Sequence, residues 1–226
     1  MTPTLTPTLA ARDWAEIQER MLVPLYEAVY ERLEVGPGDR LLGLDCGAGL
    51  PLLLAAGRGA TATGVEPDPA RRALARERLL EVLPQLPAPA AARPYDVLLA
   101  FAPDPAALPA AAALVRRGGA VVLADWGPPE RCTAPAVLGG GPVPRDLDAL
   151  AEAAGLRPDG SGRVFCPFGY ADMESAARGL LSTGLYDVSD PAQAEKELTE
   201  ALHPYERADG TVWLPNIFRY VVTRVG

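Results

Sequence analysis

One stretch, Arg40–Asp68, limits what this chain can fold into more than any other. RLLGLDCGAGLPLLLAAGRGATATGVEPD reads as strand, glycine turn, helix, second strand and a closing acid. Leu41, Leu42 and Leu44 form a short apolar run ending at Asp45, as expected of a strand buried on both faces. Cys46-Gly47-Ala48-Gly49 turns the chain, and Leu50–Ala56 is apolar enough for a helix lying on a sheet. Pro51 falls in that helix's first turn, where a missing N–H costs nothing. After Gly57-Arg58-Gly59, a second apolar run, Ala60–Val65, carries Glu66 at its carboxyl end. Glycines let backbone approach a ligand closely, and a helix N-terminus offers free N–H groups to an anion. An acid about 20 residues on, at the end of the second strand, can accept hydrogen bonds from a ribose diol. The unit points to a nucleoside-bearing ligand at a sheet's carboxyl edge. The bland use of such a turn is close helix–strand packing.

The remaining chain extends this pattern. Met1–Leu9 reads as a disordered tail, and Asp13 as the cap of a helix that opens at Trp14. Trp14, Ile17, Met21, Leu22, Tyr26, Val29 and Leu33 recur at helical spacing, with a break or kink at Pro24. Gly36-Pro37-Gly38-Asp39 turns into the first strand. Asp68 and Pro69 open a helix predicted over Ala70–Leu83, whose arginines form a solvated face. Pro84–Pro94 is proline-rich, so a third strand there is lost, very short or irregular. Tyr95–Phe101 is a buried strand, Ala106–Val115 a helix and Ala120–Trp126 a further strand. Gly127–Arg145 reads as loop, with Gly139-Gly140-Gly141 its flexible point. Asp146–Ala154, Asp172–Leu181 and Pro191–Leu202 read as helices, and Gly155–Cys166 as a strand interrupted at Pro158-Asp159-Gly160. Thr211–Val225 alternates as an antiparallel closing strand near the sheet edge.

Composition excludes several functions. The 226 residues carry a net charge of −8, which argues against a nucleic-acid partner or an anionic membrane. No apolar run reaches the roughly 18 residues of a membrane span, and Met1–Leu9 lacks the basic start and apolar core of a signal peptide. Cys46, Cys132 and Cys166 have neither disulfide arithmetic nor metal spacing, so small buried thiols and no metal are expected. A reducing cytoplasm is the expected location. No nucleophile elbow, phosphate-binding loop or paired CxxC motif is present.

The segment Leu42-Gly43-Leu44-Asp45-Cys46-Gly47-Ala48-Gly49 resembles the first motif, L-D-x-G-C-G-x-G, of class I S-adenosylmethionine-dependent methyltransferases. The resemblance is nearest the small-molecule group that includes the ubiquinone/menaquinone methyltransferases. It extends to Tyr95–Phe101 and to Arg116–Leu123. It implies a Rossmann-like, doubly wound α/β fold with a mostly parallel sheet, an antiparallel C-terminal strand and a small helical cap. One domain over residues 1–226 is expected, with N-terminal helices at 10–34, a nucleoside-binding core at 40–126, cap helices within 146–203 and the closing strand at 211–225. Two departures stand out. The family's strand acid falls on Gly43 and its first glycine on Asp45, so Asp45 either replaces the acid or crowds the pocket. The adenine-binding acid after the third strand has no counterpart in Pro84–Pro94.

The resemblance further implies S-adenosylmethionine as cofactor, held by Asp45, Cys46, Gly47, Ala48, Gly49, Glu66 and Pro67, with Phe101 beside the methyl group. Trp14, Tyr26, Ala102 and Tyr170 are the expected substrate contacts, their bland role being core packing. His203, the only histidine, is a candidate general base or simply a helix-end residue favoured by the dipole. Methyl transfer to a small molecule is the leading expectation, in specialised metabolism. Methyl transfer asks for alignment more than for acid–base groups. The alternative is a methyltransferase fold that no longer methylates and instead cyclises or isomerises a bound molecule, or serves as a partner subunit. Substrate and oligomeric state are not readable from the residues.

Overall fold

The computed structural model describes residues 7–88, 93–139, 144–185 and 190–226. Helix α1 (Pro7–Asp13) runs into a π-helical turn at Trp14–Gln18 and a 3-10 turn at Glu19–Leu22 before α2 (Val23–Arg32). Pro24 sits in the first turn of α2, where it starts a helix rather than breaking one. Two expectations are corrected here. Pro7–Leu9 is helical, not part of a disordered tail, whereas residues 1–6 lie outside the described residues. Asp13 caps nothing: its backbone is helical, it is 1% exposed, and its Oδ1 accepts from Arg178 at 2.5 Å.

The core begins as the sequence predicts, with β1 (Arg40–Leu44), α3 (Leu50–Gly57), β2 (Thr61–Val65) and α4 (Pro69–Glu77). The Asp68 side chain caps α4 through the N–H groups of Ala70 and Arg71, at 2.7 and 2.9 Å. The helix ends six residues earlier than predicted. Leu79 turns left-handed (φ +62°), and β3 (Glu81–Leu83) follows, paired in parallel with β2. A three-residue third strand therefore exists, upstream of the prolines rather than among them; residues 89–92 of that segment lie outside the description. Then come β4 (Tyr95–Phe101), α5 (Leu108–Ala112) and β5 (Val115–Trp126), the helix shorter and the strand longer than predicted.

The 127–145 stretch is not all loop, because it holds a 3-10 turn at Pro129–Arg131 and α6 (Thr133–Val137). Gly139 is left-handed (φ +80°), while Gly140 and Gly141 lie outside the described residues. Helix α7 (Leu147–Ala153), β6 (Arg157–Phe165), β7 (Phe168–Tyr170), α8 (Met173–Leu181) and α9 (Pro191–Leu202) follow. The predicted closing strand divides at Pro215-Asn216 into β8 (Val212–Leu214) and β9 (Ile217–Arg224). Asn216 is fully buried and stabilises the break, accepting from the Ala134 N–H and donating to the Leu214 carbonyl, both at 2.9 Å.

Seven strands form one sheet in the order β3-β2-β1-β4-β5-β9-β6, and β7 pairs with β8 in a small second sheet. The strands from β3 to β5 run parallel, and β9 lies antiparallel between β5 and β6. Side-chain alternation divides the core. Leu41, Val97, Leu99 and Val122 face the layer of α2 and α3, whereas Leu42, Leu98, Val121 and Leu123 face the opposite layer with Leu108 and Leu147. Central strands covered on both faces need this two-sided apolar pattern. Among the described residues no helix is long and apolar enough to cross a membrane.

Candidate functional site

The carboxyl ends of β1 and β4, neighbours in the sheet, both close on left-handed non-glycine residues: Asp45 (φ +46°) and Ala102 (φ +46°). Such backbone costs energy and persists where surrounding structure enforces it, often at sites of function. Asp45 is exposed and makes no hydrogen bond among the described residues. Its carboxyl is nonetheless pushed up from the ordinary range, by desolvation first and by neighbouring Asp104 second, with Arg71 opposing. Its side chain does not plug the glycine turn.

Trp14 does cover it. A Cβ on Gly47 (φ +60°) would lie 2.6 Å from Trp14 Nε1, so only glycine fits beneath the indole. A Cβ on Gly49 (φ +92°) would collide with the Leu80 side chain. Glu19, from the turn after Trp14, places its buried carboxylate against the start of α3. Oε1 accepts from the Leu50 N–H and Oε2 from Arg78 Nη1, each at 2.8 Å. Arg78 also donates to the Ala48 carbonyl at 2.9 Å. Ala48 itself is fully buried. Burial pushes the Glu19 carboxyl up, and the Leu50 N–H and Arg78 pull it down.

Glu66 ties the end of β2 to the turn. Its Oε2 accepts from the Gly47 N–H and its Oε1 from the Asp68 N–H, both at 2.8 Å, and the residue is 3% exposed. Desolvation raises its carboxyl above the usual range despite these donors. Each oxygen keeps a lone pair for a further donor. Pro67 is exposed beside it, its carbonyl accepting from Arg72 at 3.0 Å. Cys46 is buried against Gly64, and burial, then the Glu66 charge, push its thiol up to about 12, so it is inert at neutral pH.

Beyond Trp14 opens a cavity of about 200 Å³. Phe101 and Ala102 from the end of β4 line it, together with Trp126, Phe168 and Phe218. These rings pack on one another, with centroids 4.4 Å apart for Trp126 and Phe218 and 5.6 Å for Phe101 and Phe218. Gln18, Arg145 and Thr183 supply the polar part of the lining.

The other predicted residues lie elsewhere. Tyr26 is 6% exposed in the apolar core and does not line the cavity; burial raises its hydroxyl well above the ordinary value. Tyr170 is 2% exposed and donates to Gln18 Oε1 at 2.8 Å, so it supports a lining residue without lining the cavity itself. His203 follows the C-terminus of α9 with a 62% exposed side chain, 3.5 Å from Glu206, and does not line the cavity either. As a general base it has no place in this cavity; the helix-end role fits. Sequence reasoning missed Gln18, Arg145, Trp126, Phe168 and Phe218. Trp126 and Phe218 read as strand residues and Phe168 falls between predicted elements, and the convergence of β4, β5, β7 and β9 leaves no local signal. Among the described residues no cluster of three or more His, Cys, Asp or Glu could hold a metal.

Sequence comparison finds no matching protein-family model and no matching curated protein. Solved structures do match. An S-adenosylmethionine-dependent methyltransferase from Thiobacillus denitrificans, in complex with S-adenosyl-L-homocysteine, superposes with a TM-score of 0.60 at 13% identity, covering 99% of this chain and 100% of that one. One from Geobacter sulfurreducens, likewise with S-adenosyl-L-homocysteine, gives 0.56 at 15% identity, covering 100% of both chains. The fold is that of the class I methyltransferases. The [4+2]-cyclase SpnF shares it, with a TM-score of 0.55 at 20% identity over 89% of this chain and 81% of that one.

Does this site suit the cofactor that the fold implies? Trp14 Nε1 is buried and has no hydrogen-bond partner. A buried donor left unmade costs about 1–3 kcal/mol, and a carboxylate lodged at the turn would satisfy it. Asp45 has no hydrogen-bond partner among the described residues, and the Glu66 carboxylate at the end of β2 keeps lone pairs for a further donor. These residues fit S-adenosylmethionine.

Proposed function

We propose that this chain transfers the methyl group of S-adenosylmethionine to a small, largely apolar molecule held in the aromatic cavity, in the manner of the small-molecule methyltransferases. One observation carries the reading: Trp14 lies over the Gly47 turn and also lines the cavity, so cofactor turn and acceptor cavity share a wall. The cofactor brings a methyl already activated on a sulfonium. What the protein contributes is alignment and exclusion of water, which need no acid–base pair. Glu66 and Asp45 would hold the nucleoside and its charge, Trp14 would donate to the amino-acid end, and Phe101 and Ala102 would border the acceptor.

A second reading, cyclisation or isomerisation without methyl transfer, gains support from Trp14 on Gly47 and Glu19 on the Leu50 N–H, since both fill a turn that a cofactor would use. Calorimetric titration with S-adenosylmethionine and S-adenosylhomocysteine tests the first reading. Micromolar binding, followed by methylated product from a panel of small aromatic acceptors, supports it. A folded protein that gives no binding heat with either compound sinks it and leaves the second.

A further inference from the structure

The cavity is apolar around most of its lining, with aromatic rings prominent, which makes its two strong donor side chains informative. Arg145, just before α7, reaches it from one element and Gln18, in the π-helical turn, from another. Among the described residues neither has all its donors occupied. Asp125, 1% exposed at the end of β5, accepts from the backbone N–H of Trp126 at 2.8 Å and of Arg145 at 3.0 Å. Its contact with the Arg145 guanidinium is 3.4 Å, long against the about 2.7–2.9 Å of a charge-assisted bond. Among the described residues, no other acceptor reaches that guanidinium. Asp125 therefore anchors the arginine by its backbone and leaves most of its five-donor fork free. Gln18 behaves likewise. The Tyr170 hydroxyl occupies its Oε1 at 2.8 Å, and the amide NH₂ has no partner among the described residues.

Resting on the reading of this cavity as the acceptor site, we propose that it selects a compact aromatic carboxylate, whose oxygens are taken by the Arg145 fork with Gln18 as a second donor. The rings of Trp126, Phe168 and Phe218 then receive the aromatic body. At about 200 Å³ the space lies below the roughly 300–1,000 Å³ of drug-sized pockets, so the occupant is on the scale of one or two fused rings. An arginine fork matches two carboxylate oxygens in geometry and charge. A neutral amide of the same shape offers it one oxygen and a repelled NH₂.

The test is calorimetry on the full chain with 2-naphthoate and its neutral isostere 2-naphthamide, with no cofactor present. The wild type should bind the acid at least tenfold more tightly than the amide. Arg145→Gln should erase that preference while leaving amide affinity within about twofold, and Gln18→Leu should weaken the acid by about three- to tenfold. Arg145→Lys serves where the glutamine variant melts early: charge without the fork should retain only part of the preference. Equal affinity for acid and amide in the wild type overturns the proposal, as does a preference that survives Arg145→Gln or no binding of 2-naphthoate at millimolar concentration. Because the assay needs neither cofactor nor turnover, its failure leaves methyl transfer standing, and a failed cofactor titration leaves this result untouched.

Discussion

Glu19→Ala probes how firmly the N-terminal segment is tied to the glycine turn. The side chain is 2% exposed and joins two partners that its loss would strand, the Leu50 N–H at the start of α3 and Arg78 Nη1. Losing an acceptor at a helix N-terminus costs about 0.5–2 kcal/mol. Losing a hydrogen bond to a charged group adds about 1.5–3 kcal/mol. Arg78 is 30% exposed and keeps its bond to the Ala48 carbonyl, so water screens the second loss and holds it at the lower end. Truncation also relieves the desolvation that raises the Glu19 carboxyl. The net expectation is about 2–3 kcal/mol. For a chain of this size 1 kcal/mol moves Tm by about 2–4 °C, so Tm should fall by about 5–10 °C. Urea unfolding followed by tryptophan fluorescence measures the change as a shifted midpoint at unchanged slope. Glu19→Gln, which keeps an acceptor for Leu50, should lose about half as much. An alanine variant within about 0.5 kcal/mol of the wild type would refute the view that Glu19 fastens the segment to the turn.

Gly47→Ala places a methyl 2.6 Å from Trp14 Nε1 in a left-handed backbone, so it should cost about 1–3 kcal/mol in the same unfolding assay. Asp45→Gly removes left-handed strain without breaking a hydrogen bond; stability should rise by about 0.5–1 kcal/mol, while calorimetry should show S-adenosylmethionine binding weakened about tenfold if Asp45 faces its charge. Glu66 governs a pH effect whose sign follows from its raised carboxyl. A folded-state value above the unfolded one means the folded chain binds the proton more tightly. The contribution is fully present below the ordinary value of 4.5 and is lost as pH rises through the raised one. Unfolding free energy should therefore fall as pH rises above the ordinary carboxyl value, with a smaller fall in Glu66→Gln; equal slopes in the two proteins contradict the assignment.

Which parts of this were legible in the residues follows from the range of the forces involved. The βαβ unit was readable because its signals are local: an apolar run, a glycine turn, Pro51 and an acid at fixed distance. Asp68, Asp146, Asp172 and Asp190 cap their helices through backbone N–H groups two or three residues away, and the sequence predicts those helix starts closely. The misreadings come where tertiary contacts override local preference. Asp13 looks like a cap, but pairing with Arg178, 165 residues on, holds it inside a helix. Glu81–Leu83 continues a helical pattern, but the open edge of β2 pairs it as a strand. The glycine turn was found, yet its principal occupant was not, because nothing in the sequence near Trp14 says that Gly47 lies beneath it.

That relationship decides how the site should be understood. A glycine retained for a ligand leaves open space where its Cβ would be, whereas Gly47 and Gly49 meet Trp14 and Leu80 there. Packing within the chain is thus sufficient reason for both glycines, and the turn by itself does not argue for a cofactor. What speaks for a ligand is the set of groups that packing among the described residues leaves unsatisfied: the Trp14 indole N–H with no acceptor, the Asp45 carboxylate with no donor, and the Arg145 fork largely unused. Of these the indole N–H is buried, and packing that had only to fill space would not leave a buried donor unmade at such cost. Trp14 lies over the turn and lines the cavity. A molecule that gave its indole an acceptor at the turn would therefore reset one wall of the cavity in the same step, coupling occupancy of the two.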